Sequence, residues 1–249
     1  MATREDGISI IAGAMNRTEP LRYSLASWLD SPANQIIIVD WSSDDPIKHA
    51  VEQMGLPYYD ADKVVHVRVD GEQHWKPGSC WNLAARFVTQ TRIAKFDADV
   101  CWCRPDLIEE LPSKSYFSNH WNDAARQNEA YLTGSWFGWT SDFIGIGGYD
   151  ERFDSSYGYE DDDLYRRLSM IATRNEFPWG SIYHLPHSES KRFSQMEIPK
   201  QGVETAAIAY HGQRELWSAQ MARQRANEFV IEQIDMTTWS ARIASHEKA

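Results

Sequence analysis

Cysteine, long apolar runs and basic charge are all scarce in this chain, and each scarcity excludes a class of protein. The three cysteines among 249 residues, Cys80, Cys101 and Cys103, make no disulfide framework and fit a reducing compartment. Cys101 and Cys103 flank one tryptophan, but two thiols at that spacing lack the other ligands of a zinc site, so reduced thiols are expected. No apolar run approaches the ~20 residues of a membrane span. Mean hydropathy is -0.56, and the first residues show no signal-peptide hydrophobic region. A cytoplasmic protein is the expectation. Lysine and arginine number 25 against 36 acids, a net charge of -11. That balance argues against a nucleic acid as main ligand, because counterion release needs clustered cations. An acidic protein that handles an anionic substrate needs a local offset, and a divalent cation is the usual one.

Internal repeats, low-complexity linkers and a clean boundary are missing too, so residues 1–249 read as a single domain. What is present is an alternation of strands and helices. Residues 7–14 (GISIIAGA) form a short apolar run bounded by glycine, read as a buried strand. Thr18 then caps a helix with Leu21, Leu25, Trp28 and Leu29 on one face. Residues 35–40 (QIIIVD) are apolar almost throughout, as a strand covered on both faces is, and end in Asp40. A helix follows from Pro46, then an alternating strand over 63–70 (KVVHVRVD). Lys76 and Pro77 open a helix carrying Asn82, and residues 92–96 (RIAKF) are a fourth strand. This order predicts an α/β fold with a mostly parallel central sheet and right-handed crossovers. Ligands of such sheets bind beyond the carboxyl ends of the strands. Asn16, Arg17, Asp40 and Asp70 all fall there.

Two acidic motifs carry the chemistry. Asp97 and Asp99 follow the fourth strand at i and i+2, where a bending chain can turn both towards one cation. Oxygen ligands of this kind suit Mg²⁺ or Mn²⁺, with a substrate's phosphates completing the shell. Residues 158–168 (GYEDDDLYRRL) open a helix with four adjacent acids, Glu160 to Asp163. Dipole capping needs only one or two of them. Crowding of four raises at least one carboxylate pKa, as a general base requires. Residues 131–140 (YLTGSWFGWT) read as a strand lining a cleft, and 179–187 (WGSIYHLPH) as a short strand with two histidines. From about residue 203 onward the chain reads as helical and polar. That helix can dock on its own domain, pair two copies of the chain, or lead to a partner module. Peripheral membrane attachment through it has no basic face to recommend it.

IIIVDWSSDDP after the second strand, FDADV after the fourth, and GGYDERFDSSYGYEDDDLYRRL together resemble the nucleotide-sugar glycosyltransferases of the GT-A fold. The likeness is to family-2-type enzymes, with a C-terminal motif similar to that of β-galactosyltransferases and chondroitin-polymerase domains. It covers roughly residues 7–190. The resemblance implies a donor half over 7–100, an acceptor and catalytic half over 101–190, and a helical extension over 203–249. It implies an inverting, metal-dependent transfer from a nucleotide diphosphate sugar, a UDP-sugar by preference, to a hydroxyl of a glycan or polysaccharide. By the same resemblance Asp40 binds the nucleobase, and Asn16 and Arg17 face the nucleotide. Asp97 and Asp99 hold ribose and the Mn²⁺ or Mg²⁺, a shell that His184 or His187 completes. Glu160 contacts the acceptor and Asp161 deprotonates it. The family's Ala-Arg-Asn at the third helix is here Cys80-Trp81-Asn82, which leaves any phosphate contact to Lys76 or Arg86. Two other readings are a retaining or nucleotidyl-transferring enzyme on a similar fold and a carbohydrate-binding domain without chemistry. A nucleotidyltransferase normally needs a Gly-rich basic loop after the first strand, and residues 12–17 (AGAMNR) are a poor version of it.

Overall fold

The computed structural model describes residues 4–53, 63–107, 111–119, 132–155, 158–186, 229–234 and 238–243. Strand β1 (Glu5–Ala14) is buried over its last eight residues, as its apolar run requires. Helix α1 (Thr18–Leu29) follows, and Thr18 is its first helical residue rather than its cap, a position held by Arg17 without a side-chain hydrogen bond. Then come β2 (Gln35–Trp41), α2 (Ile47–Gln53), β3 (Val64–Val69), α3 (Pro77–Ala85) and β4 (Gln90–Lys95). β5 (Val100–Trp102), β6 (Ser115–Ser118), β7 (Trp136–Trp139), α4 (Thr140–Gly145), α5 (Glu160–Leu168), β8 (Thr173–Asn175) and β9 (Ile182–His184) complete the middle of the chain. Near the C-terminus lie β10 (Phe229–Gln233) and β11 (Thr238–Ile243).

Among the described residues one sheet runs β10-β11-β3-β2-β1-β4-β7-β6-β8, and β5 pairs separately with β9. β1 is parallel to β2 and to β4, and β2 is parallel to β3. The chain therefore winds outward from β1 through β2 to β3, then returns to the other side of β1 for β4. That reversal opens a crevice at the carboxyl ends of β1 and β4. β7 runs antiparallel to β4, and so brings the later half of the chain against the crevice.

Both faces of the sheet are covered, which is why its central strands are apolar throughout. On one face Ile10, Ala12, Ile36 and Ile38 pack with Leu21, Leu25 and Trp28 of α1. The Trp28 indole donates to the Val100 carbonyl at 2.9 Å and so ties α1 to β5. On the other face Ile11, Ile37, Val39 and Ile93 meet Trp81 and Leu83 of α3 and Leu164 and Leu168 of α5. Gly13 permits that packing: a Cβ there would come within 2.3 Å of Cys80 Sγ and 2.9 Å of the Trp81 ring.

The expected C-terminal helix is corrected where the chain is described. β10 and β11 are an antiparallel pair of strands, and β11 lies parallel along β3, with Trp239 opposite Val67. Phe229, Ile231, Trp239 and Ala241 all join one core face. Their spacing is two, the period of a strand, in a segment too polar for its few apolar points to signal either element. The pair covers the edge that β3 would otherwise expose. Residues 203–228 lie outside the described residues.

The N-terminus of α3 is capped from a distance. Asp154, in the short 3-10 turn Glu151–Ser155, accepts from Gly78 N at 2.7 Å and from Ser79 N at 3.1 Å, and from the Ser79 hydroxyl at 2.5 Å. Asp154→Ala leaves these buried donors without an acceptor. It is expected to lower stability by about 2 kcal/mol, read as a fall of several degrees in Tm, with Asp154→Asn recovering part of the loss.

Candidate active site at the carboxyl ends of β1 and β4

The loops after β1 and β2 are knitted together. Asn16 sits at φ 55, a left-handed conformation that asparagine tolerates. Its backbone N–H donates to Ser43 Oγ at 2.9 Å, and its side-chain oxygen accepts from Asp44 N at 2.8 Å. Asp40, expected to meet a nucleobase, is buried and engaged through both oxygens. Oδ1 accepts from Ser43 N at 3.0 Å; Oδ2 accepts from Ile47 N at 3.0 Å and Arg68 Nη1 at 2.7 Å. Asp40 thus caps α2 and neutralises Arg68, which also reaches the exposed Asp70 at 2.8 Å.

Two expected donor-site residues are committed elsewhere. Asn82 is buried, and its amide bridges Tyr149 O at 2.9 Å and Glu151 Oε1 at 2.8 Å while its oxygen accepts from Tyr149 N at 2.8 Å. It braces residues 149–151 against α3 instead of facing the crevice. Lys76 pairs with Glu72 at 2.5 Å.

The centre of the site is a residue that the sequence motifs do not include. Lys95, the last residue of β4, is 2% exposed. Its Nζ lies 2.9 Å from Asp97 Oδ1 and 3.6 Å from Asp161 Oδ1. It donates to Gly134 O at 2.5 Å and sits 4.5 Å above the Trp81 ring. Burial alone lowers the pKa of such an ammonium, but Asp161 and Asp97 outweigh it and hold Lys95 above its ordinary value. The available signal was a lysine inside the apolar run RIAKF. A charge in a strand buried on both faces needs a partner.

Asp161, on the first turn of α5, is therefore brought to Asp97 through one cation. Burial pushes its carboxyl up to about 6; Lys95 opposes the shift and Asp97 adds to it. The expected rise is present, but desolvation is its main cause and Asp162, its neighbour on the helix, contributes least. Tyr149 donates to Asp161 Oδ1 at 2.8 Å, and Trp136 Nε1 donates to the Tyr149 oxygen at 3.0 Å. Glu160 precedes Asp161 as the first helical residue, half-buried. Asp163 is structural: it pairs with Arg167 at 2.6 Å, and Arg167 donates onward to Gly148 O at 2.6 Å.

Asp99 meets two further side chains. It forms an ion pair with Arg17, and its Oδ1 lies 3.7 Å from His184 Nε2. The pairing of β5 with β9, with Val100 opposite His184, makes that approach. His187 lies outside the described residues. Among the described residues no three His, Cys, Asp or Glu side chains converge as a metal site. Asp97 and Asp99, expected to hold one cation together, have different partners here: Asp97 is turned to Lys95. Asp99 and His184 do fit a divalent ion. Two ligands at ~2.1 Å from one ion stand about 3–4 Å apart, and their separation falls inside that range.

A family model described as the N-terminal domain of galactosyltransferase matches residues 116–188. No curated protein matches. Among solved structures, the chain is similar to a mutant of Drosophila β-1,4-galactosyltransferase 7 in complex with manganese, UDP-Gal and xylobiose. The identity is 12%, 96% of this chain and 94% of that one are covered, and the TM-score is 0.57. The Pyrobaculum calidifontis mannosyltransferase with GDP-Man and Mn²⁺ shares 14% identity over 89% of this chain and 68% of its own, TM-score 0.57. The glucosyl-3-phosphoglycerate synthase of Mycobacterium tuberculosis, with Mg²⁺ and UDP, shares 15% over 83% and 80%, TM-score 0.51. The fold is the GT-A fold of glycosyltransferases. Among the described residues no helix is long and apolar enough to cross a membrane.

The charges in this GT-A site make two variants informative. Asp161 is held above its unfolded value, so its protonated form favours the folded state. That contribution is complete below about pH 4 and is lost as pH rises through about 6. Asp161→Asn is therefore expected to unfold at a higher temperature than wild type at pH 7.5, with the gain shrinking towards pH 4. Lys95→Met leaves Asp97 and Asp161 without their shared cation, and a loss of about 3–5 kcal/mol is expected in denaturant unfolding.

Proposed function

We propose that this chain is a metal-dependent, inverting glycosyltransferase that moves a sugar from a nucleotide diphosphate donor, a UDP-sugar by preference, to a hydroxyl of a glycan or polysaccharide. The observation that carries the reading is Asp161. It is a largely buried carboxylate poised near neutrality, joined through Lys95 to Asp97, at the crevice where this fold binds ligands.

Asp99 and His184 are the described residues that would hold the divalent ion, with His187 as a further candidate. When bound, Mn²⁺ or Mg²⁺ supplies Lewis-acid stabilisation of the diphosphate's charge. Asn16 and Arg17 stand on the nucleotide side, with the backbone around Asp40 framing the base. Asp97, fixed by Lys95, meets donor hydroxyls. Asp161 accepts the proton of the acceptor hydroxyl, and Glu160 orients the acceptor sugar. The acceptor oxygen then forms its bond to the anomeric carbon as the bond to the phosphate oxygen breaks. The electron pair leaves with the nucleoside diphosphate. A base opposite the leaving group gives inversion.

Calorimetric titration of UDP and GDP, with and without Mn²⁺, tests the donor site on wild type and Asp99→Ala. Binding of one nucleotide that needs both metal and Asp99 is expected. A panel of UDP-Gal, UDP-GlcNAc and GDP-mannose then tests turnover. Asp161→Asn is expected to bind the nucleotide as wild type does and to lose at least about a thousandfold in kcat. Failure of every nucleoside diphosphate to bind would sink the transferase reading in favour of a carbohydrate-binding domain.

A further inference from the structure

The two oxygens of Asp161 have different surroundings. Oδ1 accepts from the Tyr149 phenol at 2.8 Å and faces Lys95 Nζ at 3.6 Å. Oδ2 faces Gly134, where a Cβ would come within 3.3 Å of it and 2.6 Å of Asp97 Oδ2. The missing side chain lets the Gly134 backbone, Asp97 Oδ2 and Asp161 Oδ2 approach one another closely.

The direction of the hydrogen bonds is settled by chemistry. An indole N–H can only donate, so Trp136 Nε1, 3.0 Å from the phenol oxygen, occupies an acceptor position of Tyr149. The phenol proton is left for Asp161. Tyr149 and Trp136 are both 0% exposed, so water does not compete for either group. Phenylalanine would fill the same space against Phe143, whose ring meets Tyr149 at 6.0 Å. A buried hydroxyl is costly unless it is hydrogen-bonded, and here its bond ends on the base.

We propose that Tyr149, oriented by Trp136, is a positioning residue that pins Asp161 through Oδ1 and presents Oδ2 as the atom that takes the acceptor's proton. This rests on Asp161 being the base of the transfer. Lys95 acts on the same oxygen from the other side. The carboxylate is thus held at one rotation, with Oδ2 on the side of Gly134 and Asp97.

The test is Tyr149→Phe, alone and combined with Asp161 variants, on the full chain. Turnover is measured with whichever of UDP-Gal, UDP-GlcNAc and GDP-mannose is used as donor. Tyr149→Phe is expected to lower kcat on the order of tenfold, as misorientation of a reacting group does. The acceptor KM and nucleotide Kd should stay within about twofold. In the Asp161→Asn background the same change should alter the residual rate by less than about twofold, because there is no base left to orient. A cost undiminished in that background, or wild-type kcat in Tyr149→Phe, overturns the inference. Wild-type turnover by Asp161→Asn instead overturns the base assignment itself. Thermal unfolding of Tyr149→Phe, Asp161→Ala and the double variant gives a check that needs no turnover. Non-additive shifts in Tm are expected, and additive ones overturn the pairing of Tyr149 with Asp161.

Discussion

A buried ammonium with two carboxylates around it is the constraint on which the rest of this site depends. Lys95 stands at the end of a strand covered on both faces, where a lone charge would be driven to neutrality. It remains charged because Asp97, just beyond the strand, and Asp161, from α5, come to it together. The same contact works in reverse. Asp97 and Asp161 repel each other, and burial already disfavours the ionised form of Asp161. Lys95 offsets both effects enough to leave that carboxyl near 6 instead of far higher. Hydrophobic residues in place of the lysine and both acids together would close the core more cheaply, whereas one in place of the lysine alone would leave two acids confronting each other at the crevice. The ion pair is better understood as tuning and orientation than as stability.

The remaining framework serves to deliver those groups. The reversal of strand order at β1 opens the crevice, and β4 ends inside it. α5 carries Asp161 to the crevice only if residues 146–150 are fixed first. Asn82 grips Tyr149 from α3, and Arg167 grips Ile146 and Gly148 from α5 itself. Asp154 completes the brace by capping α3. Helices α3 and α5 are thus cross-braced through one loop. Residues that resembled donor contacts, Asn82 above all, turn out to hold this brace. A residue that resembles a ligand by its place in a motif can be structural when its polar atoms are all matched within the protein.

What is legible in the sequence follows from which forces act locally. β1 and β2 announce themselves because a strand buried on both faces is apolar along most of its length. The four acids at the start of α5 are visible as an excess over what capping requires. The raised pKa values of Asp161 and Asp163, by contrast, depend first on burial, and burial is a property of the fold. Lys95 escapes notice because a single lysine in RIAKF is ordinary until its neighbours are known. The β10–β11 pair reads as helix because its stabilisation comes from β3, more than a hundred residues away in sequence, and its own apolar points are few. The separation of Asp97 from Asp99 is hidden for a related reason. The i, i+2 spacing permits a shared cation, but Lys95, two residues before Asp97, and the sequence-distant Arg17 compete for the two carboxylates.

That competition bears on how the proposed metal site and the proposed base are kept distinct. Asp99 belongs with Arg17 and His184, and Asp97 with Lys95 and Asp161. Two carboxylates with one residue between them therefore face two different charge groups. Were both free to swing to one cation, Lys95 would lose Asp97 and hold Asp161 alone, at 3.6 Å. The base would then be drawn further towards the ammonium, and its pKa would fall as the repulsion from Asp97 disappeared. Keeping Asp97 on Lys95 preserves a carboxyl near neutrality beside a cation site. In the proposed transfer, proton acceptance and charge neutralisation of a leaving group would then fall to separate carboxylates, without the stronger positive charge abolishing the weaker base.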